Sequence, residues 1–259
     1  MKPWHSLAGK TIWVTGGAGY LGSAVTAALD AECARVVCCD LPGRAAALVR
    51  AQSLARTVPL DLDLQDAAGL PAALAPVFAA HGVPDGLVHL VAASSAGQRL
   101  ETLSAEDFRQ TCDLALTPTF VLCRLVAERM KTRGSGSLVL FSSMYGLVAP
   151  DPRIYPDPLV PNPVDYGASK AALLQLSRYF AVHYGPAGVR CNCVTPGPFP
   201  RPEVQQQHPA FIRELDRKTA LQRIGQRDEI VGPTLFLLTD SASYVTGHSL
   251  VVDGGWTSW

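Results

Sequence analysis

A tyrosine and a lysine stand one helical turn apart in the segment DYGASKAALLQLSRY, residues 165–179. Tyr166 and Lys170 are four positions apart, so on a helix both side chains project from the same face. A free tyrosine, with a pKa of about 10, is a poor base at neutral pH. Because a nearby ammonium favours the phenolate, the pair predicts a tyrosine that takes or gives a proton. A Y-x-x-x-K pair also occurs by chance on many helices, so other motifs have to support it.

Two serines follow the apolar run LVLF at residues 138–141. A run this apolar predicts a buried strand, and ligands of α/β sheets bind beyond the carboxyl ends of the strands. The hydroxyl of Ser142 or Ser143 could therefore hold a substrate oxygen beside the tyrosine.

Three glycines, Gly16, Gly19 and Gly22, stand between an apolar run and a helical pattern in VTGGAGYLGSAV, residues 14–25. A turn without side chains lets a pyrophosphate approach the backbone, and the following helix presents free N–H groups and a positive dipole end. In this strand-to-helix context the glycines predict a dinucleotide site. The alternative is a tight turn that only packs helix against strand.

An aspartate, Asp40, ends the second apolar run, 18 residues after Gly22. A carboxylate there accepts the ribose hydroxyls of an adenosine and repels a 2′-phosphate, which favours NAD over NADP as cofactor. Arg44 stands close enough to keep NADP as the less favoured alternative. Asp63 is expected at the end of a third strand within reach of the adenine, and Asp66 as a helix N-cap.

Strand-length apolar runs alternate with helix-period segments along the whole chain. The runs cover residues 11–15, 35–39, 86–92, 137–142, 189–194 and 249–253, and the helical segments cover residues 21–31, 43–55, 66–80, 104–133, 166–184 and 228–239. Strands that are apolar on both faces belong in a parallel sheet covered by helices. The predicted fold class is therefore α/β, a doubly wound parallel sheet (Rossmann fold) in a single domain over residues 1–259.

Composition excludes several partners. The 259 residues contain 22 Lys and Arg against 22 Asp and Glu, so no long-range field would gather nucleic acid or an anionic membrane. Neither an apolar leader nor a membrane-spanning run is found, and a cytoplasmic location is expected. The histidines show no ligand spacing and no metal site is expected. Reduced core thiols are predicted for the seven cysteines, which never form C-x-x-C: Cys33, Cys38, Cys39, Cys112, Cys123, Cys191 and Cys193.

Six features occur together in one known family: TGGAGYLG, Asp40, FSSMYG, YGASK, RCNCVTPG and YVTGHSLVVDGGW. In this combination they make the chain resemble the short-chain dehydrogenase/reductase family over essentially its full length. The resemblance implies Tyr166 as catalytic acid/base, Lys170 as the residue that binds the nicotinamide ribose and lowers the pKa of Tyr166, and Ser143, in preference to Ser142, as the residue that orients the substrate oxygen. The expected cofactor contacts are these three groups of residues: Gly16, Gly19, Tyr20, Leu21 and Gly22; Asp40, Leu41, Asp63, Leu64, Val91 and Ala92; Tyr166, Lys170, Pro196, Gly197 and Phe199.

The same resemblance implies a homotetramer or homodimer, assembled through the helices near 104–133 and 166–184. The apolar C-terminal segment VVDGGWTSW, residues 251–259, is a further surface that could pack on a neighbouring subunit.

Some residues depart from the family pattern. The glycine spacing T-G-x-x-G-x-x-G and the segment HLVA, residues 89–92, are closer to the larger sugar-nucleotide epimerases and dehydratases. Ala115 replaces the asparagine that normally supports a proton relay, so the relay is expected to be altered or rebuilt through water. The segment PGPFP, residues 196–200, lacks the threonine that usually contacts the nicotinamide. His89 is expected to be a buried, hydrogen-bonded residue in preference to a catalytic one.

Two segments are expected to shape the substrate site. An insert with six prolines, residues 148–164, separates Ser143 from Tyr166 and is expected to form one wall. It resembles a subgroup around polysaccharide and nonulosonate sugar biosynthesis and gluconate-type dehydrogenases. The other wall is expected from residues 198–222. The basic residues of that segment either bind a phosphate or carboxylate or form a solvated helix face: Arg201, Arg213, Arg217 and Lys218.

Together these features predict an NAD-dependent oxidoreductase that interconverts a secondary alcohol and a ketone on a sugar, sugar acid or nucleotide-activated sugar. Two alternatives stay open. The glycine spacing would suit an epimerase or dehydratase that uses NAD without net redox. The changes at Ala115 and in PGPFP would suit a non-catalytic nucleotide-binding subunit.

Overall fold

The doubly wound sheet is confirmed in a computed structural model, which describes residues 6–32 and 34–259. Its seven strands are all parallel and lie in the order β3-β2-β1-β4-β5-β6-β7. After β3 the chain crosses back to pair β4 with β1, and such a reversal opens a crevice at the carboxyl ends of the strands. The strands are β1 (Thr11–Thr15), β2 (Arg35–Asp40), β3 (Thr57–Asp61), β4 (Gly86–His89), β5 (Gly136–Phe141), β6 (Val189–Pro196) and β7 (Ser249–Val252).

Helices connect the strands and cover both faces of the sheet. They are α1 (Tyr20–Ala31), α2 (Arg44–Gln52), α3 (Leu70–His81), α4 (Ala105–Ala115), α5 (Thr117–Arg133), α6 (Val164–Tyr184), α7 (Pro202–Gln207), α8 (Pro209–Lys218) and α9 (Val231–Leu238).

Alternate residues of each central strand enter different cores, because side chains on a strand point to opposite faces in turn. Trp13 of β1 belongs to a core with residues of α3, α5 and α6. Its neighbours Ile12 and Val14 belong to a second core with residues of α1 and α9. Both faces of the sheet are thus covered, as the continuous apolar runs predicted.

The third strand ends at Asp61, two residues before Asp63, where its end was expected. Strand β3, with the sequence TVPLD, was not among the predicted apolar runs because it contains Pro59 and only Thr57 of its five residues is buried. It pairs with β2 alone and therefore forms the edge of the sheet, where proline is tolerated.

Several predicted boundaries were wrong. The segment 104–133 forms two helices, because Pro118 lies in the first turn of α5 and the helix is interrupted at Leu116. Strand β4 ends at His89, so residues 90–92 belong to the following loop. Helix α3 begins at Leu70, and Asp66 is not its N-cap: its carboxylate accepts from the N–H of Gly69.

The last predicted helix, 228–239, begins as a 3-10 turn, Arg227–Ile230, before α9. Cys33, one of the predicted core thiols, lies outside the described residues, and the other six cysteines are free thiols. In the described part of the chain, no helix combines the length and the apolar character that crossing a bilayer demands.

Candidate active site

A cavity of about 540 Å³ opens at the carboxyl ends of the strands. All the predicted catalytic and cofactor-contacting residues line it. Residues that the sequence analysis did not predict as contacts line it as well: Thr15, Cys39, Arg44, Leu62, Gln65, Leu90, Ala93, Leu114, Phe141, Ser142 and Arg201. Most of these flank a predicted contact in the sequence, which is the signal that could have found them.

The glycine turn between β1 and α1 is fixed by backbone contacts. Gly16 has a positive φ of 73° and donates its N–H to the carbonyl of Cys39 at 2.9 Å. A Cβ on Gly22 would collide with the backbone of Gly16 and Gly17, so only glycine fits there. Helix α1 has no acidic residue in its first turn and no side-chain cap. Its N-terminal N–H groups therefore suit the pyrophosphate of a dinucleotide.

At the end of β2 a buried carboxylate, Asp40, faces the cavity. One of its oxygens accepts from the N–H of Ala18 at 2.9 Å, and the other accepts from the N–H of Leu41 at 2.9 Å. Arg44, one helical turn on, lies 3.2 Å from the same carboxylate. These contacts connect Asp40 to the glycine turn and hold its carboxylate in place. We call this end of the cavity, where the sequence predicts the adenosine of the cofactor, its adenosine end. Asp63 lies in the loop after β3, where its carboxylate accepts from the N–H of Gln65 at 2.9 Å.

The predicted catalytic residues meet at the other end of the cavity, hereafter its catalytic end. Strand β5 ends at Phe141, and Ser143 follows as the cap of a 3-10 turn, where its Oγ accepts from the N–H of Tyr145 at 3.2 Å. The Ser143 hydroxyl also hydrogen-bonds Tyr166. Ser142 points away, since its Oγ donates to the carbonyl of Lys170 at 2.8 Å. The geometry thus favours Ser143 as the residue beside Tyr166.

Burial governs the ionisation of Tyr166 and Lys170. Burial raises the pKa of Tyr166, and the hydrogen bond from Ser143 partly offsets that rise. Burial lowers the pKa of Lys170 to about 8. Its Nζ donates to the carbonyl of Phe141 at 2.8 Å and lies 5.8 Å from the centre of the Tyr166 ring. Nζ of Lys170 is thus held at the Phe141 carbonyl, and the role of Lys170 in lowering the pKa of Tyr166 stays a prediction.

A buried histidine supports the floor of this site. The Nδ1 of His89 lies 2.7 Å from the Thr15 hydroxyl and its Nε2 lies 2.8 Å from the Thr119 hydroxyl. Burial, with Lys170 nearby, lowers the pKa of His89 to about 3, so the ring is neutral at physiological pH. Thr119 donates in turn to the carbonyl of Ala115 at 2.6 Å. His89 is thus the hydrogen-bonded structural residue that was expected, and the Ala115 carbonyl is already engaged by Thr119.

The proline-rich insert packs behind the catalytic end. None of its residues, 148–164, is among those that line this cavity, and that the insert forms one wall of the substrate site stays a prediction. The Tyr155 hydroxyl lies 2.6 Å from that of Tyr145, two residues after Ser143, and the Tyr155 ring packs on Phe211 of α8 with centres 4.9 Å apart. The Asp151 carboxylate lies 2.7 Å from Nζ of Lys218. We call the two contacts between the insert and α8, Tyr155 with Phe211 and Asp151 with Lys218, the clasp.

The segment 198–222 contributes to the cavity only at its beginning. Phe199 and Arg201 line the cavity, while α7 and α8 do not. The predicted small helices of this region are present as α7 and α8, and α8 covers the insert.

Comparisons with known proteins agree with this geometry. A family model described as Enoyl-(Acyl carrier protein) reductase matches residues 17–257. The chain is 32% identical to a 2,5-dichloro-2,5-cyclohexadiene-1,4-diol dehydrogenase of Sphingobium indicum, over 97% of this chain and 98% of the relative. It is 31% identical to a D-threitol dehydrogenase of Mycolicibacterium smegmatis, over 97% of this chain and 94% of the relative.

Solved structures show the same fold over the whole chain. A short-chain dehydrogenase from Leptospira borgpetersenii with bound NAD+ matches with a TM-score of 0.85 at 27% identity, covering 99% of this chain and 96% of the other. A gluconate 5-dehydrogenase from Burkholderia cenocepacia, in complex with NADP and tartrate, matches with a TM-score of 0.87 at 25% identity, covering 99% and 98%. The chain belongs to the short-chain dehydrogenase/reductase family of nicotinamide-dependent oxidoreductases.

Proposed function

We propose that this protein is an NAD-dependent dehydrogenase that interconverts a secondary alcohol and a ketone on a sugar, sugar acid or nucleotide-activated sugar. The observation that carries the proposal is the meeting of Ser143, Tyr166 and Lys170 at one end of the cavity that the glycine turn opens. The relatives named for dehydrogenation of diols and polyols support the same class of reaction.

Each of the three side chains has a separate role in alcohol oxidation. Ser143 holds the substrate hydroxyl beside Tyr166, and Tyr166 takes the proton of that hydroxyl as general base. Lys170, held at the Phe141 carbonyl, stands one turn below Tyr166 on the same helix, where it would bind the nicotinamide ribose. A nicotinamide cofactor bound beside these residues would supply the redox chemistry, as the acceptor of a hydride from the substrate carbon. The protein therefore supplies placement and proton transfer.

We assign NAD as the preferred cofactor on the strength of Asp40. Its buried carboxylate faces the adenosine end of the cavity, where it would accept the ribose hydroxyls and repel a 2′-phosphate. Arg44 pairs with that carboxylate through one nitrogen at 3.2 Å. An NADP-dependent rate equal to the NAD-dependent rate would contradict this assignment.

We further propose that the protein is a homo-oligomer, a tetramer or dimer. Large apolar side chains are exposed on α5 and α6: Phe120 is 42% exposed, Tyr179 69% and Val182 79%. Side chains of this kind on neighbouring helices suit an interface between copies. Light scattering gives the mass directly, and a monomer at micromolar concentration would exclude this arrangement.

Buried, unpaired cysteines among the described residues favour a reducing compartment such as the cytoplasm.

The decisive experiment measures NADH formation by the wild-type protein and by Tyr166→Phe over a panel of sugar acids, polyols and nucleotide-activated sugars, repeated with NADP. Loss of the general base should lower turnover by about a hundredfold to ten-thousandfold. The fluorescence of bound NADH should stay unchanged, because the phenyl ring still fills its place. Tyr244→Phe, at a fully exposed tyrosine that does not line the cavity, is the matched control.

Retained turnover in Tyr166→Phe would refute the assignment of the base. Substrate conversion without NADH in stoichiometric amount would point instead to an epimerase or dehydratase. NADH binding without any conversion would point to a nucleotide-binding subunit.

A further inference from the structure

One arginine at the catalytic end has no partner inside the described part of the chain. Of the four basic residues in segment 198–222 that could meet an anion, only Arg201 lines the cavity. Nζ of Lys218 lies 2.7 Å from Asp151, and Arg217 lies 3.4 Å from Glu214. Arg213 is exposed on α8 and does not line the cavity. Arg201 thus differs from the other three basic residues because it lines the cavity, a difference that the sequence did not reveal.

The backbone that carries Arg201 is stiff. Prolines occupy every second position of the segment PGPFPRP, residues 196–202, which fixes their φ angles and restricts each residue between them to extended conformations. Three hydrogen bonds anchor this segment to the protein. They run from the N–H of Gly197 to the Val252 carbonyl (2.9 Å), from the N–H of Gly225 to the Pro198 carbonyl (3.0 Å) and from Nε2 of Gln205 to the Pro200 carbonyl (2.8 Å).

Alternation along this segment directs two side chains to the same place. Phe199 and Arg201 are two positions apart, and both line the cavity, as residues i and i+2 of an extended chain share a face. Little conformational entropy is lost when a ligand contacts a segment that is already fixed. Arg201 is therefore an exposed cation carried by a fixed backbone at the rim of the cavity.

No carboxylate that lines the described cavity neutralises this cation. The two that line it, Asp40 and Asp63, stand at the adenosine end, and their oxygens accept from the N–H groups of Ala18, Leu41 and Gln65. Among the residues that line the catalytic end, Lys170 is a second cation. The buried Asp165 carboxylate, beside Tyr166, does not line the cavity and accepts from the N–H groups of Tyr166 and Ser95. Arg201 is thus left to attract a negatively charged substrate.

We propose that Arg201 binds an anionic group of the substrate, a carboxylate or a phosphate, and that the substrate class is a sugar acid or sugar phosphate in preference to a neutral polyol. This inference rests on the proposed dehydrogenase function and narrows it. A guanidinium suits the role because its planar fork donates two parallel hydrogen bonds to a carboxylate or phosphate. The cofactor pyrophosphate has its own site at the glycine turn, so Arg201 is left for the substrate.

The test compares end groups on one carbon skeleton. Five- and six-carbon aldonates are assayed for kcat/KM beside the alditols and alditol phosphates of the same configuration, with the wild-type protein, Arg201→Gln and Arg213→Gln. The wild-type protein should prefer one anionic series. Arg201→Gln should lower that preference by about tenfold to hundredfold, the loss of a charge-assisted hydrogen bond. Arg213→Gln should leave it unchanged, and Arg201→Lys should restore part of it.

Each outcome decides a separate point. Preference for aldonates identifies a carboxylate, and preference for alditol phosphates identifies a phosphate. Efficient turnover of alditols alone would overturn the inference and leave the proposed function intact. A fall in NADH affinity in Arg201→Gln as large as the fall in kcat/KM would assign Arg201 to the cofactor and overturn the inference. No turnover of any compound would contradict the proposed function and this inference with it.

Discussion

The two ends of the cavity are built in different ways. The adenosine end is made by the backbone of the glycine turn and by Asp40, joined through the N–H groups of Ala18 and Leu41, all within a short stretch of chain. The catalytic end depends on side chains from distant segments, as in the contacts of Tyr155 with Phe211 and of Asp151 with Lys218. Recognition of a common cofactor is thus encoded locally, whereas the shape around the substrate is encoded in contacts across the sequence.

The largest expected effect concerns the adenosine end and its dependence on bare backbone. In Gly22→Ala the added Cβ would meet the backbone of Gly16 and Gly17, which cannot move aside as a flexible side chain could. We expect NADH affinity, measured by fluorescence titration, to fall by about tenfold to hundredfold. Gly232→Ala is the control, because a Cβ there meets nothing within 4 Å. Unchanged affinity in Gly22→Ala would mean that this end tolerates side chains.

An intermediate effect concerns the catalytic end, where the rate should depend on pH through the ionisation of Tyr166. Burial raises the pKa of Tyr166, so below that pKa the phenolate fraction, and with it the rate of alcohol oxidation, should rise by about tenfold per pH unit. Ketone reduction needs the protonated phenol and should instead fall as pH rises through the pKa. A pH profile of kcat/KM in each direction checks both signs.

The matched serine variants sharpen this test. Ser143→Ala removes the hydrogen bond that lowers the pKa of Tyr166, so the oxidative profile should move to higher pH. Ser142→Ala should not move it, because the Ser142 hydroxyl donates to the Lys170 carbonyl. An equal displacement in both variants would contradict the separate roles given to the two serines.

The smallest expected effect concerns the clasp. Lys218→Met removes the ion pair with Asp151, and we expect KM for the substrate to rise by about twofold to fivefold while NADH affinity stays constant. Lys218→Met is preferred to Asp151→Asn because the Asp151 carboxylate also pairs with Arg153, and its loss would break both ion pairs. Arg217→Met, which breaks only a pair within α8, is the control. A change in NADH affinity would show that the two ends are not independent.

These regions also differ in what the sequence could reveal. The parallel sheet, the glycine turn and the Tyr166–Lys170 pair were predictable because each depends on a short pattern with a fixed period or spacing. Strand β3 was absent from the predicted apolar runs because Pro59 and its edge position remove the apolar signal. The contacts of the insert with Tyr145 and α8 could not be predicted, because they lie between segments whose separation no periodicity measures.

Electrostatic details were the least predictable. The spacing of Tyr166 and Lys170 did not reveal that the Lys170 ammonium donates to the Phe141 carbonyl, or that burial raises the pKa of Tyr166. The pKa of each buried group depends on how much water the group loses on folding, and that depends on packing from the whole fold.

The position of the insert has a consequence for how this site can diversify. Both ends of the insert are held by elements of the sheet and its helices, β5 and α6, which keep Ser143 and Tyr166 in place whatever lies between them. The entropy of closing a loop grows only slowly with its length, so residues can be gained or lost here at little cost to folding. Selection can therefore alter the surroundings of the substrate without disturbing the machinery of proton transfer.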